Sequence, residues 1–286
     1  MVLESLINPF TAKKKPWDMF FLGFLYNSVA ILLSIWIFEA YSSLVMVFLT
    51  SIACIPLIYS TIKEEEEYDM KENKESLLMK EHSRVLTFLT FLFLGIMLSV
   101  ALWYAIFIPI LSDILPSVFS SSTHKNLFNV QTETISNINY KITGGAIHAT
   151  SILLKIFLNN LKVLMFCLLF SFFYGVGAIF ILAWNASVIG VAIGSFITSN
   201  LAKYSSYFTV VPIAILRYMT HGIFEITAYF AAGLAGGIIS IAIIKHDIGT
   251  KNFEHVLLDS VDLILVAIGL LVVAALTEVF ITPMFF

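Results

Sequence analysis

Long apolar runs separated by short polar ones set the plan of this chain. A spanning helix needs about 20 mostly apolar residues. Windows of that kind occur at 17–38, with Trp17 at its edge, at 42–62 with Pro56 inside, at about 86–111, at 161–184, at 221–244 and at 257–280. Two further apolar segments, 186–198 and 206–219, are each short for a span. The polar stretch 112–145, rich in Ser, Thr and Asn, predicts a loop. Residues 146–160 place Ile147, Ile152, Leu153 and Ile156 at helical spacing. They predict either an amphipathic helix lying in the membrane interface or the start of the next span. The expectation is an all-α, polytopic transmembrane bundle with six or seven membrane segments, 186–198 and 206–219 being either short spans or re-entrant.

Polar positions orient the runs. Lys13, Lys14 and Lys15 precede the first span, and the 63–84 connection carries Lys63, Lys71, Lys74, Lys80 and Arg84. Basic residues in short loops favour the cytoplasm, and acids weigh little in this rule. Both segments are therefore expected inside, with 112–145 outside. This divides the chain into a cytoplasmic N-terminus and transmembrane hairpin (1–62), a charged cytoplasmic loop (63–84), and a membrane domain (85–286). Glu64 to Glu67 read as a solvated loop or a short helical extension of span two, with a docking surface as the functional alternative. Asp259 and Asp262 are expected to cap the last span, and His246, Asp247 and His255 to be solvated.

Composition agrees with the pattern. The chain has 286 residues, 59% hydrophobic and 12% charged, with a mean hydropathy of +0.94. Soluble domains hold about 25% charged residues. A net charge of −3 gives no sign of a nucleic-acid partner. Cys54 and Cys167 both lie in apolar runs, so neither a disulfide framework nor a cysteine metal site is indicated. The expected location is the cell membrane, with lipid and other membrane or envelope proteins as partners and no cofactor.

Small residues gather in the second half: Gly190 and Gly194, then Gly233 and Gly237 with Gly236 beside them, and Gly175 and Gly177. In lipid, small residues drive helix pairing by letting backbones approach closely. These positions predict a tight C-terminal bundle, within one chain or between copies in a homo-oligomer. The first two spans, rich in Phe, Leu and Ile, are expected to be lipid-facing or peripheral.

Three blocks carry a family resemblance. Asn159-Asn160-Leu161-Lys162-Val163 precedes a glycine-bearing span that ends in Asn185-Ala186. His221-Gly222-Ile223-Phe224-Glu225 is followed by Ala228, Ala232, Gly233 and Gly236. The ending Leu276-Thr277-Glu278-Val279-Phe280-Ile281-Thr282-Pro283 closes the chain. Over about 85–286 they resemble the stage II sporulation protein M family, found widely in archaea as well as in spore formers. In spore formers the family's name describes a role in engulfment alongside peptidoglycan-remodelling partners. The chain departs from the pattern at Thr220 and Thr227, where the family commonly has proline, so the helix start and local kink are expected to differ.

His221 and Glu225, four apart, share one helical face. A charge at mid-bilayer costs at least about 2.5 kcal/mol, so Glu225 is expected to face the protein interior. Glu278, Asn159, Asn160, Asn185 and Arg217 are the candidates to complete a buried polar network with the pair. Three functions follow: a non-enzymatic scaffold or partner-recruiting component in envelope or membrane remodelling, a channel or transporter using the intramembrane carboxylates, and a metal-dependent intramembrane hydrolase. The last would draw ligands from His221, Glu225, Glu278 and His148. No HExxH, nucleophile–base pair or phosphate-binding glycine loop accompanies them.

Overall fold

The computed structural model describes residues 16–69, 75–143, 149–174, 177–204, 206–244 and 249–285. All its regular elements are helical. Helix α1 (Pro16–Phe38) turns back through a 3-10 turn (Glu39–Tyr41) into α2 (Ser42–Asp69). Helix α3 (Glu75–Leu102) continues through a π-helical turn (Trp103–Phe107) into α4 (Ile108–Ile114). After α5 (Ser121–Thr143) come α6 (Ala149–Tyr174), α7 (Ala178–Tyr204), α8 (Tyr207–Ile244) and α9 (Lys251–Leu276). A second π-helical turn (Thr277–Ile281) leads into α10 (Thr282–Phe285). Six stretches of the described chain are long and apolar enough to cross a membrane. The first, Pro16–Tyr68, is the α1–α2 hairpin, so seven helices are of that kind when its two arms are counted separately.

Helix α8 is the centre of the bundle. Its residues from Ile226 to Ala242 are almost all buried, alanine and glycine alternating with Tyr229, Phe230, Leu234 and Ile238. Helices α6 and α9 flank it and expose wide apolar faces, Phe166, Phe170 and Phe173 on one and Leu258, Leu265 and Val272 on the other. Such faces are at home only in lipid.

The structure moves several boundaries. Segments 186–198 and 206–219 are neither short nor re-entrant: the first lies within α7, and the second is the beginning of the 38-residue α8. The chain breaks instead just before α8, where the Phe208 amide donates to Ser206 Oγ at 3.2 Å. Pro212 removes only the bond to the carbonyl of exposed Phe208. Conversely, the run 161–184 is two helices. It divides between Tyr174 and Ala178, and a side chain at Gly177 would place its Cβ 2.3 Å from the Phe170 carbonyl oxygen. Apolar continuity alone does not register that turn.

Most of the stretch 112–145, expected as loop, is helix, α5 occupying Ser121–Thr143. Leu127, Phe128 and Gln131 are fully buried against α2 and α7. Gln131 Nε2 donates to Ser187 Oγ (3.2 Å) and to the Ser43 carbonyl (3.3 Å), and Ser43 Oγ donates back to Gln131 Oε1 (2.6 Å). The last span also starts earlier than expected. Thr250 caps α9, accepting from the Phe253 amide at 3.2 Å, so Asp259 and Asp262 lie two turns or more inside the helix and are not caps. His255 Nδ1 lies 2.8 Å from Asp259 Oδ2, so this histidine is paired rather than simply solvated.

The first two spans expose apolar faces, Phe21, Leu25 and Trp36 on one and Leu44, Phe48 and Ile52 on the other, and pack their remaining faces closely. Helix α1 lies along α3 at backbone contact: a Cβ added at Gly95 would fall 2.0 Å from the Phe20 carbonyl oxygen, and one at Gly23 2.2 Å from that of Leu92. A buried polar cluster joins the same helices. Asn27 Nδ2 donates to Ser99 Oγ (2.9 Å), Thr50 Oγ1 lies 3.2 Å from Asn27 Oδ1, and Trp103 Nε1 donates to Ser28 Oγ (3.1 Å). One glycine per helix suffices for this contact, which explains why no GxxxG spacing marks it. Helix α2 runs on to Asp69, so the acidic run extends the span as a helix. Its Glu65 and Glu66 are fully buried rather than solvated, Glu65 Oε1 lying 2.6 Å from Nδ1 of buried His82 on α3.

Candidate functional site

Helix α8 carries the polar residues of the THGIFE stretch at the head of its buried run. His221 is not at a helix start, since α8 began fourteen residues earlier. With threonine at 220 and 227 instead of proline, the helix passes straight through. Thr220 Oγ1 donates to the Leu216 carbonyl (2.5 Å) and Thr227 Oγ1 to that of Ile223 (2.7 Å), each side chain folding onto its own helix.

Three helices meet at this level. From α6, Asn160 Nδ2 donates to Glu225 Oε1 at 2.5 Å, and Asn159 Nδ2 reaches Asn160 Oδ1 at 3.4 Å. From α10, just beyond α9, Thr282 Oγ1 lies 3.3 Å from His221 Nδ1. The Thr282 hydroxyl has a second neighbour, the Thr277 carbonyl at 3.2 Å. When its one proton goes there, the imidazole Nδ1–H is the donor to Thr282 and Nε2 carries the lone pair. Four residues further along α8 and four residues back toward α9 lead from this pair to Glu225 and Glu278, which lie within electrostatic range of each other. This is the register of two antiparallel helices, and it brings two carboxylates together although 53 positions separate them in the sequence.

The seam continues inward. Tyr229, one turn after Glu225 and 3% exposed, is within electrostatic range of both carboxylates and of the Cys167 thiol. On α6 the buried positions Asn160, Leu164, Cys167 and Ser171 form one stripe facing α8. Below them α8 presents glycine: a Cβ at Gly236 would meet the Leu168 carbonyl oxygen at 2.4 Å, and one at Gly233 the Ala178 Cβ at 3.0 Å. Gly237 is buried in the same stretch. Gly190 and Gly194 face α3 and the turn after it, at 2.7 Å from the Met97 carbonyl oxygen and 2.8 Å from Tyr104 Cβ by the same construction. These close approaches lie within one chain.

Two other sequence candidates have partners elsewhere. The Asn185 amide donates to the Ile181 carbonyl of its own helix (2.8 Å), and the Arg217 guanidinium sits 5.3 Å from the centre of the Phe196 ring on α7. His148 lies outside the described residues. Among the described residues, no three His, Cys, Asp or Glu side chains come together as a set that would hold a metal ion. Tyr229, Cys167 and Thr282 escaped the sequence reading. Tyr229 is separated from Glu225 by one helical turn, and that spacing is the signal that would have found it.

A bundle of long apolar helices joined by an intramembrane polar seam defines a polytopic helical membrane protein. The particular family is the one whose model, Stage II sporulation protein M, matches residues 84–283: the chain belongs to it. It is also 33% identical over 132 residues to an uncharacterized protein of Methanocaldococcus jannaschii, covering 45% of this chain and 70% of that one. No solved structure matches it.

Proposed function

We propose that the protein is a non-catalytic membrane component of the cell envelope, a bundle whose shape is locked by the Asn160–Glu225 seam and whose surfaces engage other membrane or envelope proteins. The observation that carries this reading is how the signature side chains are used. Asn160 bonds Glu225 across two helices, and His221 meets Thr282 across another pair. A hydrogen bond between helices in lipid contributes about 0.6–1.7 kcal/mol, enough for several to select one packing. The family's name supports a setting in membrane remodelling. Orientation follows the basic residues, with the N-terminus cytoplasmic.

The pairing of Glu225 with Glu278 favours a second reading, a carrier or channel for protons or cations. Two carboxylates within electrostatic range, both half-buried in apolar spans, are more than a lock requires. One experiment separates the readings. Proteoliposomes holding the purified chain are assayed for proton, sodium and potassium flux, with Glu225→Gln compared for flux and for melting. The scaffold reading expects no flux above empty vesicles and a lowered melting temperature. Flux that Glu225→Gln abolishes at unchanged melting would establish the carrier instead.

A further inference from the structure

Helix α1 turns one face to α3 and the other outward. The outward face is a stripe of Phe21 (66% exposed), Leu25 (56%), Val29 (45%), Leu32 (44%) and Trp36 (81%), at spacings of three and four residues. Trp17 (61% exposed) stands at its other end. Trp17 and Trp36 are 19 residues apart, about 28 Å along a helix. That length matches the hydrocarbon core of about 30 Å, and tryptophan concentrates at the two membrane–water interfaces. The stripe therefore faces acyl chains, and Trp36 marks the headgroup level.

Beside Trp36 the structure holds a cavity of about 480 Å³ between the end of α1 and the segment entering α5. Small-molecule sites span about 300–1,000 Å³, so one chain and part of a headgroup would fit. Its walls include Leu32 and Trp36 from the lipid-facing stripe and Val118 and Phe119 from the opposite side, while Glu39 and Ser117 supply polar lining. Among the described residues the Glu39 carboxylate makes no ion pair. The cavity is thus apolar where it continues the membrane surface and carries the Glu39 carboxylate at headgroup level. A bilayer lipid whose headgroup ends in an ammonium group complements both features.

We propose that this cavity is a lipid site that receives one chain of a bilayer phospholipid and selects, through Glu39, an ammonium-bearing headgroup. It lies on α1, away from the Asn160–Glu225 seam, and does not depend on the function proposed for that seam. The full chain is reconstituted in vesicles of equimolar phosphatidylethanolamine and phosphatidylglycerol, extracted gently, and weighed by native mass spectrometry. One retained lipid per chain is expected, enriched about fivefold in the ethanolamine headgroup, as a contact of about 1 kcal/mol would give. Glu39→Gln should erase the preference and keep the lipid. Val118→Trp, which fills the cavity, should remove the lipid at unchanged melting, and Ser117→Trp repeats the test from the exposed loop if the first variant fails to fold. Three results would overturn the proposal: a preference unchanged in Glu39→Gln, a lipid retained by a folded cavity-filled variant, or a second copy of the chain lost on filling instead of a lipid.

Discussion

Removing the Asn160 side chain tests the seam where it is tightest. Asn160→Ala deletes the donor that lies 2.5 Å from Glu225 Oε1 and leaves that oxygen without its partner from α6. Loss of a partner to a buried polar group costs about 1–3 kcal/mol. Part of that is desolvation of Glu225, so the single variant overstates the bond itself. A double-mutant cycle with Glu225→Ala isolates it, because the doubly substituted chain has no stranded acceptor. Interhelical hydrogen bonds measured this way in membranes average about 0.6 kcal/mol and reach about 1.7. This bond is made to a carboxyl group and is 8% exposed at its donor residue. We therefore expect a coupling in the upper half of that range, about 1–1.7 kcal/mol. Reversible unfolding in mixed micelles, titrated with a denaturing detergent and followed by tryptophan fluorescence, measures all four chains. Additivity within about 0.3 kcal/mol would refute the argument, since Asn160 and Glu225 would then not be joined in the folded bundle.

Two further outcomes test the fold around the seam. Gly95→Ala drives a methyl group to 2.0 Å from the Phe20 carbonyl oxygen and must part α1 from α3, with an expected loss of about 1–3 kcal/mol. Gly269→Ala on exposed α9, with nothing within 4 Å, is the control and should be neutral or stabilising in the same unfolding titration. His124 supplies the pH test. Burial against Tyr104 and Phe128 holds its pKa below the usual value, against an opposing pull from its bond to the Tyr104 carbonyl. The unfolded chain then binds the extra proton, so stability is complete above about pH 6.5 and falls as pH drops, by at most about 1.4 kcal/mol per pH unit. His124→Phe should flatten that part of the curve, and an identical slope in both chains would remove His124 as its cause.

The pattern of apolar runs was enough to identify an all-helical membrane protein, because lipid demands some twenty consecutive apolar residues wherever the chain crosses. The HGIFE block was equally legible, because a charge inside such a run stands out and its i, i+4 spacing places both groups on one face. Helix ends were less readable. The division between Tyr174 and Ala178 and a continuous α8 through Thr220 look alike in hydropathy, and local backbone contacts decide between them. The amphipathic α5 resembled a loop because its buried side includes Gln131, whose cost of burial is met by Ser43 and Ser187 from distant helices. Only tertiary structure could bring Asn160, Glu225 and Glu278 to one level, or press Gly95 onto Phe20. Both depend on the antiparallel or crossing register of helices far apart in the chain, and a hydrophobic pattern records which face is buried but not what lies against it.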